Sequence, residues 1–439
     1  MTFPEYFQLS FTNYIPKNKI GKDFELQDVR LNKYTGNVLF ILLNNKTSEA
    51  IIIERNFSKA SVFVLGNRKI NKVHNAAKEL KYNHYLNKQI AWGSATLPDK
   101  RKLACYWING TPYSIAKLDP KENKNIVFSE ITGKYSCEDY LLFCGNYKRD
   151  DGIKSSFIFI IRHENDNEYR VKHAYYKLGG LSPTVFGINN SAIFGCNETK
   201  ENTLPCYWAP KIYVNDNNKL RVMMSKPVII QVENLKNAET FIPISYNGNE
   251  FICSYYMNKR KAEVLLPTIR PVLITNNGKL CPLPIPANKD YQYCIANCRN
   301  GNYIGGQING SPVIWKKDKD KWQLIIISPN FQAKENKDLK AFNRYSPEKE
   351  GITSINLGEK IELIGSYKGQ PFIAFLNENN ICNVHVWDKG LKELVCKSSF
   401  DPKNCKRIIS LDTSNLVVEA IDQSGNTIVQ EVTKPDLSK

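Results

Sequence analysis

Any chemistry in this chain has to come from five histidines, 12 cysteines and a scatter of carboxylates. His74, His84, His163, His173 and His385 stand far apart. None forms the His-Glu-x-x-His pair that seats a zinc ion on one helix face. His385 sits in the alternating run Asn383-Val-His-Val-Trp387, where a histidine packed within a strand is the simpler reading. Cys294 and Cys298 form the one close cysteine pair, and no second Cys or His pair accompanies them. Other cysteines lie inside apolar runs such as Ala104-Cys-Tyr-Trp107 and Ile252-Cys-Ser254, where a free thiol behaves as a small core residue. There is no Gly-x-Ser-x-Gly elbow, phosphate-binding loop or dinucleotide fingerprint. Glycoside hydrolysis needs two carboxyl groups flanking one bond. Glu130, Glu359 and Asp412 are candidates to line a channel, yet their flanks do not mark any two as a pair. No cofactor and no metal follow from these residues.

The elements that would position any site come from a repeat. A short apolar strand is followed after a turn by a second that tends to end in Gly, then by a third with an aromatic or aliphatic centre. The clearest copy reads Val185-Phe-Gly-Ile-Asn189, Ala192-Ile-Phe-Gly195, Pro205-Cys-Tyr-Trp208. Others read Tyr293–Asn297, Tyr303-Ile-Gly305, Pro312-Val-Ile-Trp315, and Ile352–Asn356, Leu363-Ile-Gly365, Pro371–Phe375. The same frame fits Ile90–Gly93 with Ala104–Trp107 and Leu142–Gly145 with Phe157–Phe159. Looser copies are Val38–Phe40 with Ile51–Ile53, Phe251–Cys253 with Val264–Leu266, and Leu416–Val418 with Thr427–Val429. The third strands centre near residues 52, 106, 158, 207, 264, 314, 373 and 428, at gaps of 49 to 59 residues. A unit of this length with three or four short β runs between Asn/Gly/Lys turns is the blade of a β-propeller.

The expected fold is therefore all-β: a β-propeller of eight blades in one domain over residues 1–439. Seven blades, or two separate β domains, are the alternatives. The last copy lacks an outer strand, and Glu5-Tyr-Phe-Gln-Leu-Ser-Phe11 can supply it, so residues 1–12 are read as a closing strand and 433–439 as a tail. The run Leu178-Gly-Gly-Leu-Ser-Pro-Thr-Val-Phe-Gly-Ile-Asn-Asn-Ser-Ala-Ile-Phe-Gly195, followed by Pro205-Cys-Tyr-Trp208, resembles the bacterial HAF-type repeat. The resemblance is clearest over 178–208 and weaker near 289–315 and 352–375. It implies a bacterial propeller-like array, often exported, and its motif of core and turn positions brings no catalytic residue with it.

The formal charge is +17, with 48 Asn and 47 Lys but 13 Arg. A Lys/Asn excess is what an AT-rich genome produces, whereas phosphate-gripping surfaces favour the planar fork of Arg. The informative cations are local. The loop between second and third strands reads Asp99-Lys-Arg-Lys102, Tyr147-Lys-Arg-Asp150 and Asn258-Lys-Arg-Lys261 in three copies. On one face of a ring, Lys100, Arg101, Lys102, Lys148, Arg149, Lys259, Arg260 and Lys261 would form a basic rim for a protein partner with an acidic surface. Nucleic acid is the weaker choice, because no recognition signature accompanies the lysines. No apolar run reaches the ~18 residues of a membrane span. The start has no basic stretch leading into an apolar one, so a cytoplasmic chain, or one exported without a Sec signal, is expected. The expected function is a non-catalytic scaffold for protein–protein interaction, such as a bacterial effector or a subunit of a larger assembly. A glycan-binding or glycan-cleaving propeller is the alternative.

Overall fold

The computed structural model describes residues 9–15, 23–31, 38–55, 60–66, 69–75, 90–108, 110–114, 125–137, 140–163, 171–180, 182–189, 192–199, 202–215, 220–233, 239–257, 269–285, 294–300, 302–308, 311–326, 362–367, 370–376, 382–388, 393–400, 405–410, 416–421 and 427–432. The chain divides into two compact units. The first is Asp23–Phe251 with Thr275–Lys279; the second is Met1–Lys22, Ile252–Ile274 and Leu280–Lys439. Every regular element among the described residues is a β-strand.

Strand β1 (Leu9–Ile15) begins the described chain. In the first unit, β2 (Phe24–Leu31), β3 (Val38–Asn44), β4 (Ala50–Arg55) and β5 (Ala60–Leu65) form an antiparallel meander. A second meander follows in β6 (Lys69–Asn75), β7 (Ile90–Thr96), β8 (Lys102–Ile108) and β9 (Thr111–Ser114). The third is β10 (Ile126–Ser136), β11 (Tyr140–Arg149), β12 (Lys154–His163) and β13 (Val171–Lys177). A single parallel bridge, Phe128 to Lys102, joins β10 to β8. The fourth meander is β14 (Pro183–Asn189), β15 (Ala192–Glu198), β16 (Thr203–Trp208) and, after a two-stranded ribbon β17 (Lys211–Val214) and β18 (Leu220–Met223), the short β19 (Val228–Ile229). The fifth is β20 (Glu239–Tyr246), β21 (Glu250–Met257), β22 (Ile269–Thr275) and β23 (Leu280–Pro282), and the boundary between the units falls within β21.

The second unit continues with β24 (Cys294–Asn300), β25 (Tyr303–Ile308), β26 (Ser311–Asp318) and β27 (Lys321–Ile326). Next come β28 (Glu362–Tyr367), β29 (Gln370–Leu376), β30 (Cys382–Asp388) and β31 (Glu393–Phe400). The last sheet is β32 (Cys405–Ser410), β33 (Leu416–Ile421) and β34 (Thr427–Val432), with β1 added antiparallel at the far edge of β34. The spare N-terminal strand thus pairs with the last copy through Leu9–Ile15, and residues 5–8 of the expected strand lie outside the described residues. The repeat frame also shifts twice. Val264 lies outside the described residues, and the third strand of its sheet is Ile269–Thr275; Gln370–Leu376 is the second strand of its sheet, not the third. No helix among the described residues is long and apolar enough to cross a membrane.

The local sequence explains the unit. Second and third strands are buried on both faces, so they read as unbroken apolar runs: Leu39 to Leu43, Ile90 to Trp92 and Leu103 to Ile108 are all buried. Fourth strands alternate, as in the Thr111–Ser114 strand with its exposed Tyr113. First strands carry a one-residue bulge against the second, for example between Ile131 and Gly133 and between Val185 and Gly187. The repeated glycine answers the close approach that results. A Cβ on Gly145 would lie 2.0 Å from the Glu130 carbonyl oxygen, and one on Gly195 would lie 2.0 Å from that of Thr184. Gly93 and Gly306 stand in the same relation to Lys72 and Ile295. Within the first unit, β2 lies against β6, β10 against β14 and β14 against β20; within the second, β24 lies against β28 and β28 against β32. First strands therefore converge on one another, as the innermost strands of propeller blades do.

Candidate functional site

Strand β10 carries two buried polar side chains, Ser129 and Glu130. Its start receives both of the Lys-Arg hairpins that the described residues contain. From the β7–β8 turn, Arg101 donates to the carbonyl of Ile126 at 3.3 Å, and the Lys102 ammonium stands 5.6 Å from the Phe128 ring centre. From the β11–β12 turn, the backbone N–H of Asp150 donates to the Asn125 carbonyl at 2.8 Å. Both arginines are held by an aspartate two residues away. Arg101 binds Asp99 at 2.6 Å and 2.7 Å through two nitrogens, and Arg149 binds Asp151 at 2.9 Å. The Arg101 guanidinium holds the Asp99 carboxyl below its ordinary value. Lys100 is exposed at the turn, with the left-handed backbone that a two-strand reversal requires. Lys148 is half-buried beside Arg149. Lys259, Arg260 and Lys261 lie outside the described residues, as do Glu359 and Asp412.

Glu130 lies farther along β10 and is different in kind. It is 8 % exposed, and it faces Asn146 directly across the β10–β11 pair. Burial pushes its carboxyl pKa up; a hydrogen bond from Asn146 and the charges of Lys102 and Lys72 pull the other way and do not win. Asn146 has a partner for each of its polar groups. Its Oδ1 accepts from the Ser156 hydroxyl at 2.8 Å and from the Val185 N–H at 2.8 Å, while its Nδ2 donates to the Val185 carbonyl at 2.9 Å and its side chain also bonds Glu130. The same Ser156 hydroxyl lies 2.7 Å from the Pro183 carbonyl, so its one proton is shared between that oxygen and Asn146 Oδ1. Glu130 therefore sits in the seam between the second and third meanders, and Asn146 clamps the third to the fourth. The preceding residue on β10, Ser129, accepts from the backbone N–H of Ala104 at 2.8 Å, tying the same seam.

A buried carboxyl with a raised proton affinity, beside the charges of two lysines, can exchange a proton or a hydrogen bond with a hydroxyl more readily than an exposed carboxyl, while the lysines attract negative charge. Sequence reading named Glu130 but missed Lys72, Asn146 and Ser156. The signal for Asn146 was its place directly after the repeat glycine, where Ser94 stands in the second copy and Cys196 in the fourth. The thiols are buried core groups: Cys144 is pushed up to about 12 by desolvation, and Cys196, Cys206 and Cys294 are pushed up as well. Among the described residues no cluster of three or more His, Cys, Asp or Glu is placed to hold a metal ion.

No family model matches the chain, and no curated protein matches it. Solved structures do. The β-propeller domain of the Trilobed protease from Pyrococcus furiosus is 12% identical, with a TM-score of 0.40, over 88% of this chain and 99% of that one. Acylaminoacyl peptidase from Pyrococcus horikoshii is 12% identical, with a TM-score of 0.38, over 94% of this chain and 60% of its own. The periplasmic gluconolactonase of Pseudomonas aeruginosa is 11% identical, with a TM-score of 0.36, over 78% and 96%. At this similarity they assign no activity, and the all-β architecture rests on this chain's own strand pairing. They do correct one expectation. These structures are a protease's β-propeller domain, a peptidase and a gluconolactonase, and the non-catalytic scaffold expected from sequence is withdrawn.

Proposed function

We propose that this chain is a catalysis-associated, ligand-handling β-propeller whose first strands build a site at Glu130 for a small anionic molecule bearing hydroxyl groups. The eight four-stranded meanders among the described residues are read as its blades, with their first strands innermost and β1 completing the last. One observation carries the reading: Glu130 is buried at a net electrostatic disadvantage, between lysines from another meander and an asparagine whose hydrogen bonds are all used. Folding alone gains nothing from such a carboxyl, because an amide of the same shape would keep the Asn146 bond without a buried charge. In this reading Lys72 and Lys102 draw in the anion. Glu130, protonated more readily than an exposed carboxyl, gives or takes a proton at a ligand hydroxyl.

The test is calorimetric titration of the full chain with hydroxycarboxylates and sugar phosphates, set against uncharged polyols of the same size. Binding confined to the anions, and lost in Glu130→Gln while that variant melts no lower than the parent, is expected. Equal response of the parent and the variant, or no anion bound at all, would remove Glu130 from any role in ligand handling.

A further inference from the structure

The β17–β18 ribbon is an insertion in the four-strand pattern, and the Glu130 reading makes no use of it. It interrupts the fourth meander between β16 and β19, and its base is fastened by the Ala209 N–H donating to the Ser225 hydroxyl at 2.9 Å. Its two faces have opposite characters. Ile212 and Val222, paired across the strands, pack against the core cluster that holds Trp208 and Val185. The other face pairs Lys211 with Met223 and Tyr213 with Arg221. All four are exposed, Tyr213 by 48% and Met223 by 58%. The result is a checkerboard in which each cation sits opposite an apolar side chain and diagonal to the other cation. Large apolar side chains held this far out of water on a short anchored ribbon contribute nothing to the core.

We propose that this face of the ribbon docks an acidic segment of a partner protein, with carboxylates on Lys211 and Arg221 and an apolar side chain between Tyr213 and Met223. Charge complementarity selects the occupant. The chain carries +17, the two ribbon cations flank the apolar pair, and Lys226 follows exposed at the ribbon's exit. Four residues per strand give a platform roughly 13 Å long, the reach of a short peptide. Two apolar side chains bury too little to hold a bilayer surface, and one aromatic ring offers a nucleic acid a single stacking position.

The test pans a random dodecapeptide library on the full chain and counter-selects on the double variant Lys211→Glu, Arg221→Glu. Thermal melting checks that both proteins are folded, and the exposed positions of these side chains predict equal midpoints. Clones kept by the parent and lost on the variant are expected to place Asp or Glu on both sides of an apolar residue. Such clones should bind the variant about tenfold or more weakly, and the Tyr213→Ser, Met223→Ser protein at least about threefold more weakly. The proposal is overturned if no clone distinguishes parent from variant, or if the distinguishing clones lack acidic residues. It is equally overturned if what the charge reversal removes is binding to oligo-dT or to phosphatidylserine vesicles.

Discussion

The hairpin tips and the β10 seam hold charge in opposite ways. At the tips, the half-buried Arg101 and Arg149 are each paired with a more exposed aspartate two residues away, within one turn. In the seam, Glu130 draws on Asn146, Lys102 and Lys72 from three other strands, and these together fail to offset its burial. A charge answered by its sequence neighbours says little about partners, because the turn needs the pair whatever the protein does. A charge answered from a distance, and incompletely, is one the fold tolerates at a loss. That difference moved the candidate site from the rim to the first strand.

The contrast can be sharpened by substitutions of falling severity. Gly145→Ala would place a Cβ 2.0 Å from the Glu130 carbonyl and 2.6 Å from the Phe157 ring, and should cost more than about 3 kcal/mol or prevent folding in a denaturant titration. At the tip, Gly152→Ala meets nothing within 4 Å, and its backbone φ of 85° costs only about 1 kcal/mol. Similar losses at the two glycines would break the comparison. Asn146→Ala comes next. It takes the side-chain partner from both backbone groups of Val185, while the Ser156 hydroxyl keeps the Pro183 carbonyl, and a loss of about 2–4 kcal/mol by chemical denaturation is expected. The smallest effect belongs to the tip charges. Asp99→Ala removes the exposed partner of a surface pair and should leave the thermal midpoint within replicate scatter, and a clear fall would mean that the tip pairs hold the β10 start in place.

Much of the architecture was legible in the residues, for a physical reason. Strands buried on both faces leave apolar runs, and a bulge pressed onto its neighbour leaves a glycine, so Ile90–Gly93, Leu142–Gly145 and Ala192–Gly195 announce themselves. The copy at 352–375 misled because Leu363-Ile-Gly365 imitates a second strand, while its glycine lies at the bulge of a first strand. The β17–β18 ribbon was invisible to a search for repeats because it belongs to none. At the site, Asp99 and Asp151 already stood beside the arginines that looked available. Glu130 was legible only as a carboxylate: its burial and its lysines come from strands 25 to 60 residues away, and no local pattern records that.

The most direct test of this account is the stability difference between the parent and Glu130→Gln as a function of pH. The folded carboxyl has its pKa raised above the unfolded value of 4.5, so the folded state binds the proton more tightly. Any stability this confers is present below 4.5 and is lost as pH rises through the folded value. Urea titrations in steps from pH 4 to pH 8 should show the parent falling relative to the variant above about pH 4.5, with the variant at least as stable at neutrality. A variant less stable than the parent at neutral pH would mean that Glu130 is a stabilising ion-pair partner and not a carboxylate kept for its chemistry.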